Sequence, residues 1–190
     1  MNTILALQAK EASRGSLTLF QRILLCTDGT VTNLIQEYTG EDIQVQKLGQ
    51  TIGTEVAPRM LACDGPVPLL RRTILLRGSS RTYLYADSVF VFERLSASIQ
   101  DQLLTTDRPI GLLWQEERLE TYREIVDQRV EARCDVARHF GLPETTPSAA
   151  RTYVVYQAGR PLGAITERWP LCVFDQSLPA EQPLFARESG

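Results

Sequence analysis

The stretch LLRRTILLRG (residues 69–78), a short polar turn, and then TYLYADSVFVFERL (82–95) decides the fold. Two apolar runs of strand length, joined by Gly78-Ser79-Ser80-Arg81, form a β-hairpin. The same figure returns near the end of the chain. RTYVVYQ (151–157) leads through a turn at Ala158-Gly159 into RPLGAITERWPLCVF (160–174). Hairpins make antiparallel strands.

Helical spacing dominates before the first hairpin. In SLTLFQRILLCTDG (16–29), Leu17, Phe20, Leu24 and Leu25 share one helical face, with Ser16 as cap and Asp28-Gly29 as stop. TVTNLIQEYTG (30–40) is a second, shorter helix, with Thr30 or Thr32 as cap and Gly40 as its end. EDIQVQKLGQTIG (41–53) alternates as a half-exposed strand, and the proline-rich PRMLACDGPVPLL (58–70) reads as a connection. SASIQDQLLTTDRPIGLLW (96–114) reads as helix, turn, helix, with Asp107 before Pro109 opening the second. Residues 117–132 fit either a helix or a strand, and the charge run at 115–133 reads as a solvated face. PETTPSAA (143–150) is a polar loop. The expected class is α+β, an antiparallel sheet with helices on one face.

Composition narrows the function. The 190 residues carry 20 basic and 23 acidic side chains, a net charge of −3, which argues against a nucleic-acid groove. The length suits a single domain over 1–190, with 1–15 and 176–190 as peripheral segments. No apolar run reaches membrane-spanning length and no signal pattern opens the chain, so a cytoplasmic location is expected. Cys26, Cys63, Cys134 and Cys172 are scattered, and the apolar stretches around three of them suggest buried free thiols. His139 is the sole histidine and reads as a surface or capping residue. Neither a triad, nor a metal cluster, nor a Walker or GxGxxG loop can be assembled, so no metal or cofactor is expected. Chemistry run by carboxylates, arginines and shape remains.

Two charges interrupt apolar strand faces. Leu70, Arg72, Ile74 and Leu76 share one face, whereas Arg71 and Arg77 lie on the other, wettable one. On the last strand Gly163, Ile165, Glu167, Trp169 and Leu171 share a face. Arg72 is suited to a carboxylate ligand. A buried Glu167 must be paired or have a raised pKa. An internal Arg72–Glu167 ion pair, or an arginine reaching out at the sheet edge, would satisfy the same pattern.

Five segments in order, LLCTDGTVTNLIQEY, RTILLRG, YLYADSVFVF, RPIGLLW and GRPLGAITERWP, resemble the chorismate pyruvate-lyase family, and its cyanobacterial-type branch most closely. The resemblance spans roughly residues 16–175. It implies an antiparallel sheet of about six strands with an internal ligand site closed by flaps, a chorismate lyase-like fold. It implies that Arg72 grips the ring carboxylate of the substrate and that Glu167, in Thr166-Glu167, faces its hydroxyl. It implies backbone contacts from Ile110 and from Val31, the latter flanked by Thr30 and Thr32. Residues in the 110s–140s are more numerous than in the enterobacterial branch, and the N-terminal flap differs.

The implied reaction is cleavage of chorismate to 4-hydroxybenzoate and pyruvate, on a route to a prenylated quinone. Aromatisation drives it, so the protein need only hold a reactive conformer and stabilise developing charge. Two other readings use the same site: a non-catalytic binder of an aromatic acid, and a lyase releasing 3-hydroxybenzoate. A fainter similarity to the ligand-binding domains of bacterial transcription regulators accompanies the first, although no attached DNA-binding domain is expected. The expected partner is a small molecule, and oligomeric state has no signature in the pattern.

Overall fold

The computed structural model describes residues 17–106, 108, 110–131 and 135–175. Six antiparallel strands form one sheet in the order β1-β2-β3-β6-β5-β4. The strands are β1 (Gln44–Val56), β2 (Pro66–Arg77), β3 (Thr82–Val91), β4 (Tyr122–Glu131), β5 (Ser148–Gln157) and β6 (Arg160–Pro170). Helices α1 (Leu19–Cys26) and α2 (Val31–Thr39) precede the sheet, and α3 (Ala97–Thr105) and α4 (Ile110–Glu116) link its two halves.

The four helices share a core with one sheet face. Leu24 and Ile35 from the first helical hairpin, and Ile99, Leu103, Leu113 and Trp114 from the second, join Leu70, Leu84, Phe90, Ile165 and Trp169. The opposite face is not bare. A single 3-10 turn at Arg59–Leu61 covers a small cluster of Leu61, Leu69, Val91, Val154 and Ala164. A second such turn at Ala137–Phe140 brings His139 onto the ring of Tyr85, 5.3 Å between centroids. Register places Tyr85 opposite Leu75, on the face away from the helices.

Several expectations are corrected. Ser16 lies outside the described residues; α1 is capped by Thr18, whose hydroxyl accepts from the Gln21 amide while the Gln21 side chain accepts from the Thr18 amide. The connection after β1 is shorter than its prolines suggest. β1 runs on to Val56, and β2 already begins at Pro66. The β2–β3 register ends at Leu69–Val91, so Pro66 and Pro68 sit where β2 pairs with β1 alone, a position that tolerates a missing N–H. Within the ambiguous 117–132 region, Tyr122–Glu131 form a strand, β4. Cys26 and Cys172 are exposed rather than buried, whereas Cys63 is half-buried; all three are free thiols, and Cys134 lies outside the described residues. Both terminal segments also lie outside them. Gly40 ends α2 with φ 67°, as its position predicts, and Ala158-Gly159 turns the last hairpin with two positive φ values. Among the described residues no helix is long and apolar enough to cross a membrane.

Candidate functional site

A cavity of about 590 Å³ lies between the helix-side face of the sheet and the two helical hairpins. All six residues singled out in the sequence, Thr30, Val31, Thr32, Arg72, Ile110 and Glu167, line it. The floor is aliphatic, from Ile74, Leu76, Leu84, Ala86 and Ile165. An apolar floor with a few placed polar groups is the usual make-up of a small-molecule site.

Arg72 is buried, with 4% of its surface exposed, and Arg71 beside it is exposed and paired with Glu55 at 2.8 Å. Alternation along β2 produces the contrast. Nη1 of Arg72 donates to the carbonyl of Arg108 at 2.8 Å, which joins β2 to the segment that begins α4. Ile110 is the first residue of α4 and Val31 the first of α2. Helix geometry leaves amides at these positions without intrahelical acceptors. The Thr30 side chain makes no capping bond, and its hydroxyl oxygen accepts from Gln115 of α4 at 3.3 Å. The two hairpins therefore touch across the cavity.

Glu167 is not paired with Arg72. Its Oε2 accepts from Nε of Arg151 at 2.7 Å, and Oε1 accepts from the Tyr153 hydroxyl at 3.1 Å. Arg151 and Glu167 are both buried, at 1% and 6% exposure. Burial and then the neighbouring Glu167 carboxylate push the Tyr153 phenol far above its ordinary range, so it stays a hydrogen-bond donor at neutral pH. Register separates the Cα atoms of Arg72 and Glu167 by two strand spacings and two residues, about 12 Å by standard sheet geometry. A basic group and an acidic group thus face each other across an apolar floor, with room for a ring between them.

Arg151, Tyr153 and Arg123 escaped the sequence reading. Arg151 looked like the start of a strand; the strand begins at Ser148, which makes it an interior charge between Ala149 and Tyr153 on the core face. The test that found Arg72 would have found it, given the correct strand start. Arg123 was hidden in a charge run read as solvated. It lines the cavity, and its Nη1 donates to the carbonyls of Asp28 and Gly29, each at 2.7 Å. Arg151 adds a bond to the Thr27 carbonyl at 2.5 Å and Gln128 one to Leu25 at 2.7 Å. Three side chains of β4 and β5 thereby satisfy the carbonyls at the end of α1, which fixes the turn leading into Thr30-Val31-Thr32. Among the described residues no group of three His, Cys, Asp or Glu side chains gathers as a metal site would.

Comparison with known proteins agrees with the geometry. The profile of the Rv2949c-like chorismate pyruvate-lyases matches residues 25–176. The chain is 29% identical over 170 residues to the chorismate pyruvate-lyase of Mycobacterium tuberculosis, covering 85% of this chain and 84% of that one. Solved structures share the fold at low identity. PhnF of Mycobacterium smegmatis superposes with a TM-score of 0.63 at 12% identity, covering 83% of this chain and 70% of that one. A GntR-family transcriptional regulator of Bacillus cereus gives 0.55 at 8%, covering 73% and 98%. With its profile matched over most of its length, this chain belongs to the Rv2949c-like chorismate pyruvate-lyase family.

Proposed function

We propose that the protein is a cofactor-free lyase that converts chorismate to 4-hydroxybenzoate and pyruvate. Arg72 holds the ring carboxylate through a charge-assisted fork. Glu167 accepts a hydrogen bond from the 4-hydroxyl, and the amides of Val31 and Ile110 flank the ring, with Thr30 and Thr32 framing the first. The observation that carries this reading is the pair Arg72 and Glu167, at opposite ends of one cavity with an aliphatic floor between them.

The reaction balances without a co-reactant. The C3–O bond breaks and its electron pair leaves on the enolate oxygen of pyruvate. C4 loses its hydrogen as a proton, and that electron pair completes the aromatic ring. The enolate carbon takes up a proton, giving pyruvate. The site supplies orientation and fixed charge, which suit a step driven by aromatisation. Arg151, behind the cavity wall, and Tyr153, on it, hold the Glu167 carboxylate in place.

Incubation with chorismate and a pyruvate-coupled assay tests the proposal. Pyruvate release that survives exhaustive chelation is expected. Loss of the rate on chelation, restored by one added metal, would show that the site has been misread. Tight binding of 4-hydroxybenzoate without pyruvate release would instead support a non-catalytic aromatic-acid binder.

A further inference from the structure

Arg123 is a further cation on the cavity wall, at the Glu167 end. It lines the cavity beside Gly29, Thr30 and Tyr153, and its guanidinium carbon lies 5.7 Å from the centre of the Tyr153 ring. Tyr153 in turn bonds Glu167. Arg72 is the cation assigned to the ring carboxylate, and the remaining charged groups on the wall have partners of their own. Arg108 is paired with Glu116, and Glu167 with Arg151. Asp42, the other acid on the wall among the described residues, takes the side-chain amide of Gln44 at the β1 side. Arg123 differs: its hydrogen-bond acceptors are the neutral carbonyls of Asp28 and Gly29, and among the described residues no carboxylate pairs with it. A guanidinium facing a cavity without an anion is a seat for one from the ligand.

We propose that Arg123 binds the second carboxylate of the substrate, the one carried by the enolpyruvyl group. This rests on the reading of chorismate as substrate. Chorismate bears its hydroxyl on C4 and the enolpyruvyl ether on the adjacent C3. With the ring carboxylate at Arg72 and the hydroxyl at Glu167, the ether branches off beside the Glu167 end rather than along the Arg72–Glu167 line. Arg123 reaches the cavity from β4, on the far side of β5 from β6, over the face of Tyr153. It is placed to meet a group that branches to that side. Arg72 would then select for an aromatic or cyclic acid, and Arg123 for a diacid with the second charge on an ether at the neighbouring carbon.

The test compares 4-hydroxybenzoate, which lacks the second carboxylate, with 3-(carboxymethoxy)-4-hydroxybenzoate, which carries one on an ether at the same carbon. Both are titrated calorimetrically into wild-type protein and Arg123→Gln. Wild type should prefer the diacid by about tenfold or more, and Arg123→Gln should abolish that preference while binding 4-hydroxybenzoate within about threefold of wild type. In turnover the variant should raise KM for chorismate by a similar factor. If both acids weaken together, Arg123 only holds the Asp28-Gly29 turn and the assignment fails. Should Arg123→Gln not fold, Arg123→Lys keeps the charge without the fork. An intermediate preference supports the assignment, and an unchanged affinity for both acids overturns it. Because these are equilibrium measurements, an Arg123-dependent diacid preference without chorismate turnover would sink the lyase reading and leave the anion seat standing. Turnover without that preference would do the reverse.

Discussion

Arg71 and Arg72 are adjacent in sequence and have opposite fates. One holds a surface ion pair and the other a buried place in the cavity wall. Arg72→Ala should abolish measurable binding of 4-hydroxybenzoate, a loss of about 2–5 kcal/mol, with the protein still folded. Arg71→Ala should change affinity little, because an exposed pair contributes about 0–1 kcal/mol. Equal effects in calorimetry would refute the assignment of faces. Arg151 carries the stability instead. Arg151→Met leaves the Glu167 carboxylate buried without its cation, so thermal or urea unfolding should show a loss of about 3–5 kcal/mol. Arg72→Ala should not show a loss of that size. Glu167→Gln keeps the shape and removes the charge. If Glu167 takes part in proton movement, turnover should fall by about 100-fold or more while affinity for 4-hydroxybenzoate changes much less. Turnover and affinity falling together and modestly would mean that Glu167 only positions the ring.

At the scale of elements, one irregularity sets the back wall of the site. β4 pairs Ile125 with Tyr153 but Asp127 with Thr152, a one-residue bulge at Val126. A bulge reverses the alternation beyond it. Arg123 and Ile125 face the helices before it, and Gln128, opposite Arg151, does so after it. That is why β4 could be read either way: its inward positions change parity midway, so a strict strand period could not outrank the helical one. The hairpins around Arg72 and Glu167 were legible because β2 and β6 have their wrong-side charges within regular alternation. Gly163 shows a different dependence on close packing. A Cβ there would run into the ring of Phe90 and the carbonyl of Val89, and Phe90 meets Trp114 of α4 edge-on at 5.8 Å. Gly163→Ala should therefore destabilise by about 1–3 kcal/mol in an unfolding titration. Glu41 fastens the β2–β3 turn to the end of α2. Hydrogen bonds from Ser80, then Tyr83, hold its carboxyl down to about 2, against an ordinary value of 4.5. The folded pKa lies below the unfolded one, so the stabilisation is complete above about pH 4.5 and is lost as pH falls toward 2. The difference in melting temperature between wild type and Glu41→Gln should be constant near neutrality and shrink below pH 4.5.

For the whole molecule, the fold alone does not decide the activity, since a transcriptional regulator of Bacillus cereus shares it at 8% identity. The proposed activity rests on side chains: two arginines and a glutamate around a cavity of about 590 Å³. The two hairpins, the helical pair before them and the wrong-side charges could be read without coordinates, because each depends on local period or local turn chemistry. The Arg151–Glu167 pairing could not, because it depends on which strand lies beside β6 and where that strand begins. The account is tested most directly by incubating the purified protein with chorismate alone and identifying both products by proton NMR. It predicts 4-hydroxybenzoate and pyruvate, mole for mole. Release of 3-hydroxybenzoate, or intact chorismate beside tightly bound 4-hydroxybenzoate, would contradict it.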